Sequence, residues 1–187
     1  MKLMIASDIH GSAYYCHRMV EAFQAEGADK LILLGDVLYH GPRNDLPRDY
    51  APKEVIAMLN PLKEKILCVR GNCEAEVDQM VLEFPVLADY AVILVGEGRT
   101  IYITHGHVYN EENLPPHGQG DVLLCGHTHL PAVREHFGKD EAGYVYMNPG
   151  SVSIPKGDST HSYMVFEDST FAWKELESGK EYMEYSL

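Results

Sequence analysis

The chain has 187 residues, with 15 Lys and Arg against 28 Asp and Glu, which gives a formal net charge of −13. This length suits one domain, and 45% hydrophobic and 23% charged residues are ordinary values for a globular protein. The negative charge argues against binding of long nucleic acids and anionic membranes, because both need basic surface. A phosphorylated substrate stays compatible with this charge if metal cations are bound.

The first half of the chain is predicted to alternate between strands and helices. Short apolar strands are expected at residues 2–7, 31–34 and 66–69. A helix is predicted from the i, i+3, i+4, i+7 spacing of Cys16, Met19, Val20 and Phe23, with Gly27 as its end. Further helices are expected around Val55, Ile56 and Leu59, and from Val77 through Met80 and Val81 to Phe84. This order predicts parallel strand pairing.

The second half is predicted to be mostly β-structure. Candidate strands lie at residues 91–95, 100–104, 122–125, 132–135, 144–147, 162–166 and 170–175, and residues 111–114 are expected to form one helical turn. Polar motifs in both halves would have to meet, which favours one domain over residues 1–187.

The cysteines and the N-terminus indicate where the protein resides. The four cysteines contain no C-x-x-C pair and are interpreted as reduced thiols: Cys16, Cys68, Cys73 and Cys125. The N-terminus lacks the long apolar stretch of a signal peptide, and no segment approaches the ~18 apolar residues of a membrane span. We therefore expect a cytoplasmic protein.

Five predicted strands each end in a polar motif, usually with a glycine beside it. The motifs are Asp8-Ile9-His10, Gly35-Asp36, Gly71-Asn72, His105-Gly106-His107 and Gly126-His127-Thr128-His129. In α/β sheets, ligands bind at the carboxyl ends of the strands. Carboxylate, amide and imidazole groups suit Mn, Fe or Zn better than Mg or Ca.

The number of candidate ligands predicts two ions rather than one. Seven are counted: Asp8, His10, Asp36, Asn72, His105, His127 and His129. Two cations about 3.5–4 Å apart repel one another, so a shared carboxylate is expected between them. Asp36 is the candidate bridge, because it stands alone after a central strand.

These motifs, in this order and spacing, resemble the calcineurin-like metallophosphoesterase superfamily, and within it the small bacterial phosphodiesterases of the YfcE type. The segments Gly35–Asn44 and Asn148–Gly157 add to the resemblance. It implies an α/β fold, a four-layer αββα sandwich of two mixed β-sheets flanked by helices. It also implies hydrolysis of small phosphodiesters by a hydroxide that bridges two Mn²⁺ ions.

The resemblance also implies which residue binds which ion. One ion would be bound by Asp8, His10, Asp36 and His129. The other would be bound by Asp36, Asn72, His105 and His127.

Other site residues are predicted less directly. Asp36, Asn72 and His107 are assigned to catalysis, with His107 orienting water or the leaving group. His40, Arg43 and Cys73 are assigned to substrate binding. Cys73 stands where larger phosphatases of the superfamily have a histidine. The turn at Asn148-Pro149-Gly150-Ser151 is expected to support the site.

Alternative functions remain open at this point. A retromer subunit uses a similar fold as a protein-binding scaffold, but its metal-binding residues are partly replaced, whereas all seven are present here. A nuclease or nucleotide hydrolase is the second alternative. The related enzymes also favour a homo-oligomer.

Overall fold

The computed structural model describes residues 1–137 and 142–187. Their strands, in chain order, are β1 (Leu3–Ala6), β2 (Lys30–Leu33), β3 (Ile66–Cys68), β4 (Tyr90–Leu94), β5 (Thr100–Thr104), β6 (Asp121–Leu124), β7 (Pro131–His136), β8 (Tyr144–Pro149), β9 (Ser162–Glu167), β10 (Thr170–Glu175) and β11 (Glu181–Ser186). The helices are α1 (Ala13–Glu26), α2 (Pro52–Leu59) and α3 (Glu76–Val81), and a 3₁₀ helix follows α2 at Asn60–Lys65.

The strands form two mixed sheets. The first has the order β11-β10-β9-β1-β2-β3, in which β1, β2 and β3 are parallel. The second has the order β4-β5-β6-β8-β7, in which β5, β6 and β8 are parallel. Parallel neighbours end at the same edge of a sheet, so the segments after β1, β2 and β3 lie together, as do those after β5 and β6.

The predicted α1 is confirmed, and its sequence accounts for both ends. Ser12 caps the first turn, with its hydroxyl accepting the Tyr15 N–H at 3.3 Å. Gly27 ends the helix in the left-handed conformation, φ 62°, which glycine adopts without strain. Met19 and Phe23 face the first sheet from this helix and are buried there.

Two apolar layers flank the first sheet. Side chains of α1 and α2 cover its outer face, where they pack on Met4, Leu31 and Leu33. The inner face packs on the second sheet, with Trp173 among its largest fully buried side chains. The expected pair of mixed sheets with flanking helices is confirmed.

The outer face of the second sheet is covered differently. In the described residues, Leu114 from the segment between β5 and β6 packs there, against Leu123, Tyr144 and Tyr146. The helical turn expected at residues 111–114 is wrong. Asn110 and Asn113 pair through their backbones, and the Asn110 side chain accepts two backbone N–H groups, which closes a tight turn instead.

The third predicted helix is shorter than its apolar spacing indicates. It ends at Val81, and Val77 and Met80 are exposed rather than packed. The side chain of Gln79 donates to the carbonyls of Leu82 and Phe84 and so holds the following chain extended. The sequence also gave no prediction for β11, the edge strand of the first sheet. Among the described residues, no helix is both long and apolar enough to cross a membrane.

Candidate metal centre

The ends of five strands meet where the two sheets face each other. Asp8 and His10 follow β1, Asp36 follows β2, and Asn72 follows β3, all from the first sheet. The second sheet adds three histidines: His105 after β5, and His127 and His129 after β6. Backbone hydrogen bonds join these segments within each sheet, for example His10 N–H to Asp36 O at 2.8 Å and Gly126 N–H to His105 O at 2.8 Å.

Five of the seven predicted ligands have a left-handed backbone. Their φ values are 59° for Asp8, 48° for His10, 54° for Asp36, 66° for His127 and 61° for His129. Such conformations cost roughly 1–3 kcal/mol each for residues other than glycine, and they concentrate at functional sites. The backbone therefore turns sharply at each strand end and directs these side chains into one place.

Gly71 allows the closest approach in the site. A Cβ atom added at this residue would overlap the Asp36 carboxylate and backbone. Glycine is therefore needed where the end of β3 passes the end of β2.

Ligand atoms of Asp8, His10 and His129 form a first buried group. The Nε2 atoms of His10 and His129 are 3.4 Å apart, and His129 Nε2 is 3.3 Å from Asp8 Oδ1. His10 Nε2 is 3.6 Å from Asp36 Oδ2. The ligand atoms of Asp8, His10 and His129 all lie within 4.8 Å of one another, close enough to hold one metal ion.

A second group shares Asp36 with the first. Asp36 Oδ2 is 3.4 Å from His105 Nε2, and this nitrogen is 3.1 Å from Asn72 Oδ1. His127 Nδ1 is 3.3 Å from His105 Nε2. The structure thus brings all seven predicted ligands together, with one carboxylate oxygen between the two groups.

Main-chain carbonyls fix three of the imidazoles. His10 Nδ1 lies 2.8 Å from the carbonyl oxygen of Tyr39. His105 Nδ1 lies 2.7 Å from that of Leu34, and His129 Nδ1 lies 2.6 Å from that of Ile154. When Nδ1–H donates to these carbonyls, each neutral ring presents the Nε2 lone pair to the centre.

The centre also contains a buried atom that needs a cation. Asp8 Oδ1 is buried and has no hydrogen-bond partner in the described part of the chain. A buried carboxylate oxygen without a partner is costly, and a bound cation would satisfy it. The residues present therefore fit divalent metal ions.

The electrostatics of the centre favour ionised carboxylates. Burial acts to raise the pKa of Asp8, but the neighbouring imidazoles of His10, His105 and His129 outweigh it and lower the pKa. Burial acts to lower the pKa of His105, but Asp36 and Asp8 raise it to about 9. The protein thus supplies the negative charge that cations would neutralise.

Glu74 supports the centre, a role that is not predicted from the sequence. Its Oε2 accepts the N–H groups of Asp36 at 2.9 Å and Gly71 at 2.5 Å, and its Oε1 accepts the N–H of Val37 at 2.7 Å. Burial and the charge of Asp36 raise the pKa of Glu74 to about 7. Its position in Gly71-Asn72-Cys73-Glu74 was the available signal.

The turn after β8 supports the other side of the centre, as the sequence predicts. The hydroxyls of Ser151 and Ser153 both donate to the carbonyl of Asp8 at 3.0 Å. Asn148 Nδ2 donates to the carbonyl of Gly126 at 2.7 Å and lies 3.1 Å from Thr128 Oγ1. These contacts hold the ligand-bearing segments after β1 and β6.

A cavity of about 430 Å³ opens beside the two groups. Arg43, Asn44 and Lys156 line it together with candidate ligands, so positive charge faces any anion bound there. No role is predicted from the sequence for Asn44 or Lys156, because neither directly follows a predicted strand.

The other residues assigned to catalysis and substrate binding have different positions. The His40 ring packs edge-on between Tyr39 and Tyr50 and does not line the 430 Å³ cavity. The half-buried Cys73 donates its N–H to Asp36 Oδ1 at 2.9 Å. Burial and the charge of Asp36 raise the pKa of the Cys73 thiol. Its sulfur also lies within 4.8 Å of ligand atoms of His10 and Asp36. His107 lines a neighbouring cavity.

The chain is similar to known proteins both in sequence and in structure. The chain is 49% identical over 173 residues to phosphodiesterase YfcE of Escherichia coli strain K12, covering 92% of this chain and 90% of that protein. It is 26% identical over 176 residues to the probable metallophosphoesterase YsnB of Bacillus subtilis strain 168, covering 88% of this chain and 83% of that protein.

The solved structure of YfcE, a phosphoesterase from E. coli, superimposes with a TM-score of 0.92 and 46% identity, covering 100% of this chain and 99% of that one. An archaeal phosphodiesterase with 21% identity shares the fold, with a TM-score of 0.58 over the full length of both chains. The profile of the calcineurin-like phosphoesterase superfamily domain matches residues 1–170. The chain therefore belongs to the calcineurin-like phosphoesterase superfamily.

Proposed function

We propose that this protein is a phosphodiesterase that hydrolyses small phosphodiesters with two divalent metal ions, most favourably Mn²⁺. The observation that carries the proposal is the position of Asp36 Oδ2, 3.6 Å from His10 Nε2 and 3.4 Å from His105 Nε2. One carboxylate oxygen between two groups of ligands is the arrangement that a two-metal hydrolase requires. The 49% identity to a protein named a phosphodiesterase adds support.

The proposed ligands divide between the two ions as the resemblance implies. Asp8, His10, Asp36 and His129 would hold one ion, and Asp36, Asn72, His105 and His127 the other. Mixed oxygen and imidazole donors favour Mn²⁺ over Mg²⁺. When bound, the ions would activate water at neutral pH and neutralise charge on the phosphoryl oxygens.

The protein side chains would position the substrate. Arg43 and Lys156 would attract the phosphate, because both line the cavity beside the centre. Asn72, an exposed residue in the same cavity wall, would be within reach of the phosphoryl group. His107 would orient the leaving group, and Cys73, a weak donor, would give it little protonic help. Substrate contact by His40 would need movement of its ring from between the tyrosines.

The domain organisation, the cellular location and the oligomeric state of the protein are also proposals. Residues 1–187 would act as a single domain, because each proposed metal site takes ligands from both sheets. A cytoplasmic location is supported by four free cysteines, three of them buried. We also propose a homo-oligomer, as the related enzymes favour.

The alternative functions are less well supported. A protein-binding scaffold has no need of seven clustered ligands with fixed imidazoles. Hydrolysis of long nucleic acids is disfavoured by the net charge of −13.

The test uses protein stripped of metal by a chelator and then reloaded with Mn²⁺, Mg²⁺, Ni²⁺ or Zn²⁺. We expect hydrolysis of bis(p-nitrophenyl) phosphate to disappear on stripping and to return with Mn²⁺ more than with Mg²⁺. p-Nitrophenyl phosphate should be a poorer substrate than the diester. Full activity without metal, or binding of fewer than two ions per active chain, would contradict the proposal.

A further inference from the structure

A second cavity, of about 310 Å³, lies next to the metal centre. We call it the lateral cavity, and its walls include His107, Asn110, Glu112, His127, Thr128 and Tyr146. His127 and Thr128 also line the 430 Å³ cavity that contains Arg43 and Lys156. A phosphate bound at the centre therefore has the lateral cavity within reach of one of its substituents.

Both walls of the lateral cavity are held in place by side-chain contacts. On one side, Glu111 binds Arg134 through both carboxylate oxygens and also lies 2.8 Å from His136 Nε2, which fastens the segment after β5 to β7. On the other side, Asn148 Nδ2 lies 3.1 Å from both Thr128 Oγ1 and the Tyr146 hydroxyl. A preformed cavity of this kind is typical of a ligand site.

One residue in the wall of the lateral cavity has an unpartnered polar atom. His107 Nδ1 is buried and has no hydrogen-bond partner in the described part of the chain. Buried polar atoms are nearly always hydrogen-bonded, so a small rotation of the His107 ring would let this nitrogen bind a group in the cavity.

The two cavities differ in charge. Arg43 and Lys156 line the 430 Å³ cavity. The lateral cavity is lined by Glu111 and the exposed Glu112, and none of its described lining residues is lysine or arginine. Glu111 is neutralised by its ion pair with Arg134, whereas no ion pair of Glu112 is found in the described part of the chain.

We propose that the lateral cavity binds one organic substituent of the phosphodiester, and that Glu112 makes it select an uncharged substituent over an anionic one. This inference rests on the proposed function and deepens it. Diesters with a neutral ring or hydroxyl-bearing substituent are then preferred over those with a carboxylate or a further phosphate.

The test measures binding rather than turnover. 4-Carbamoylbenzylphosphonate and 4-carboxybenzylphosphonate have a carbon–phosphorus bond that a phosphodiesterase does not cleave, and their ring substituents are nearly equal in size but differ in charge. Their dissociation constants are measured by calorimetry on the metal-loaded full chain, for the wild type, Glu112→Gln and Glu112→Lys. The matched control is Glu64→Gln, an exposed acidic residue before β3, at the opposite end of that strand from Asn72.

We expect the wild type to bind the neutral ligand about threefold more tightly, the scale of an exposed charge interaction. Glu112→Gln should bring the two constants close together, Glu112→Lys should reverse their order, and Glu64→Gln should behave as the wild type. If both ligands bind and the ratio of their dissociation constants is the same in all variants at residue 112, the proposed role of the lateral cavity is wrong. The proposed phosphodiesterase activity is not affected by that result. Absence of phosphonate binding and of diester hydrolysis in the metal-loaded wild type would overturn both.

Discussion

Glu74 Oε2 accepts the backbone N–H of Asp36 at 2.9 Å. The Glu74 carboxylate therefore positions Asp36, and the Asp36 carboxylate lies between the two ligand groups. Glu74 Oε2 also accepts the Gly71 N–H, which fixes the end of β3 against the end of β2. This contact positions Asp36 before any cation binds, and removing it should disturb both proposed metal sites together.

We expect Glu74→Gln to lower kcat about 10- to 100-fold and to weaken metal binding, because supporting residues of metal ligands have effects of this size. The amide nitrogen of glutamine cannot accept the N–H groups that both carboxylate oxygens now accept. Metal content and diester turnover are measured together, with Glu76→Gln at the exposed start of α3 as the control. Normal metal content and rate in Glu74→Gln would contradict the positioning role.

Asp36→Asn should have a larger effect than a change at any ligand of one ion alone. The neutral amide leaves two cations without their shared negative charge, so at least one ion and nearly all turnover should be lost. His129→Gln is the comparison, since His129 Nε2 lies near Asp8 and His10 only in the first group. The measurement is bound metal per chain by elemental analysis, and retention of two ions in Asp36→Asn would show that another group forms the bridge.

Replacement of Cys73 should change the dependence of rate on the leaving group. General acids contribute about 10²–10⁴-fold, most for strongly basic leaving groups, and a thiol is a weak donor. We expect Cys73→His to flatten the dependence of kcat/KM on leaving-group pKa across substituted phenyl diesters. Cys73→Ala should leave cleavage of p-nitrophenyl diesters largely intact. Loss of that cleavage in Cys73→Ala with metals still bound would make the thiol essential.

Glu26 should stabilise the fold in a pH-dependent way. Burial acts to raise the pKa of Glu26, but hydrogen bonds from Lys174, Lys2 and Tyr163 outweigh it and lower the pKa to about 2. The folded state therefore binds this proton less readily than the unfolded state. The stabilisation is fully present above about pH 4.5 and is lost as the pH falls toward 2.

The corresponding experiment is urea unfolding of metal-free wild type and Glu26→Gln. At pH 7 the variant should be about 1–2 kcal/mol less stable, a value reduced for solvent screening of a partly exposed network. The difference should shrink as the pH falls below about 4. Glu64→Gln serves as the control, and a difference that does not change with pH would show that packing rather than charge is responsible.

The proximity of the candidate ligands could be predicted from the sequence because their signals are local. Each ligand directly follows a short apolar strand, so Asp8, Asp36 and Asn72 could be placed at one edge from the pairing rules alone. Glu74 acts mainly through the backbone of Asp36 and Val37, which are distant from it in the chain, and only its place beside Gly71 and Asn72 hints at this role. Nothing beside Lys156 in the sequence shows that it lines the cavity. Met80 has the spacing of a packed helical residue but is exposed, because helical spacing does not distinguish a packed face from an exposed one.

Two other differences between the predicted and the observed secondary structure have specific physical causes. The helix through Phe84 was predicted too long because Gln79 binds the carbonyls of Leu82 and Phe84, a competition between side chain and backbone that periodicity does not show. In β11 the partly buried Met183 and Tyr185 alternate with the exposed Glu184, a weak pattern typical of an edge strand.

The division of the ligands between the sheets has a consequence for stability. The first sheet carries Asp8, His10, Asp36 and Asn72, and the second carries His105, His127 and His129, so under the proposed assignment each ion joins the two sheets. A cation held in this way acts as a reversible cross-link across the apolar interface that contains Trp173. Because it binds the folded chain in preference to the unfolded one, metal at a hundred times its Kd would add about 2.7 kcal/mol to the free energy of unfolding. The thermal stability of the folded protein would then increase with the concentration of available metal ions.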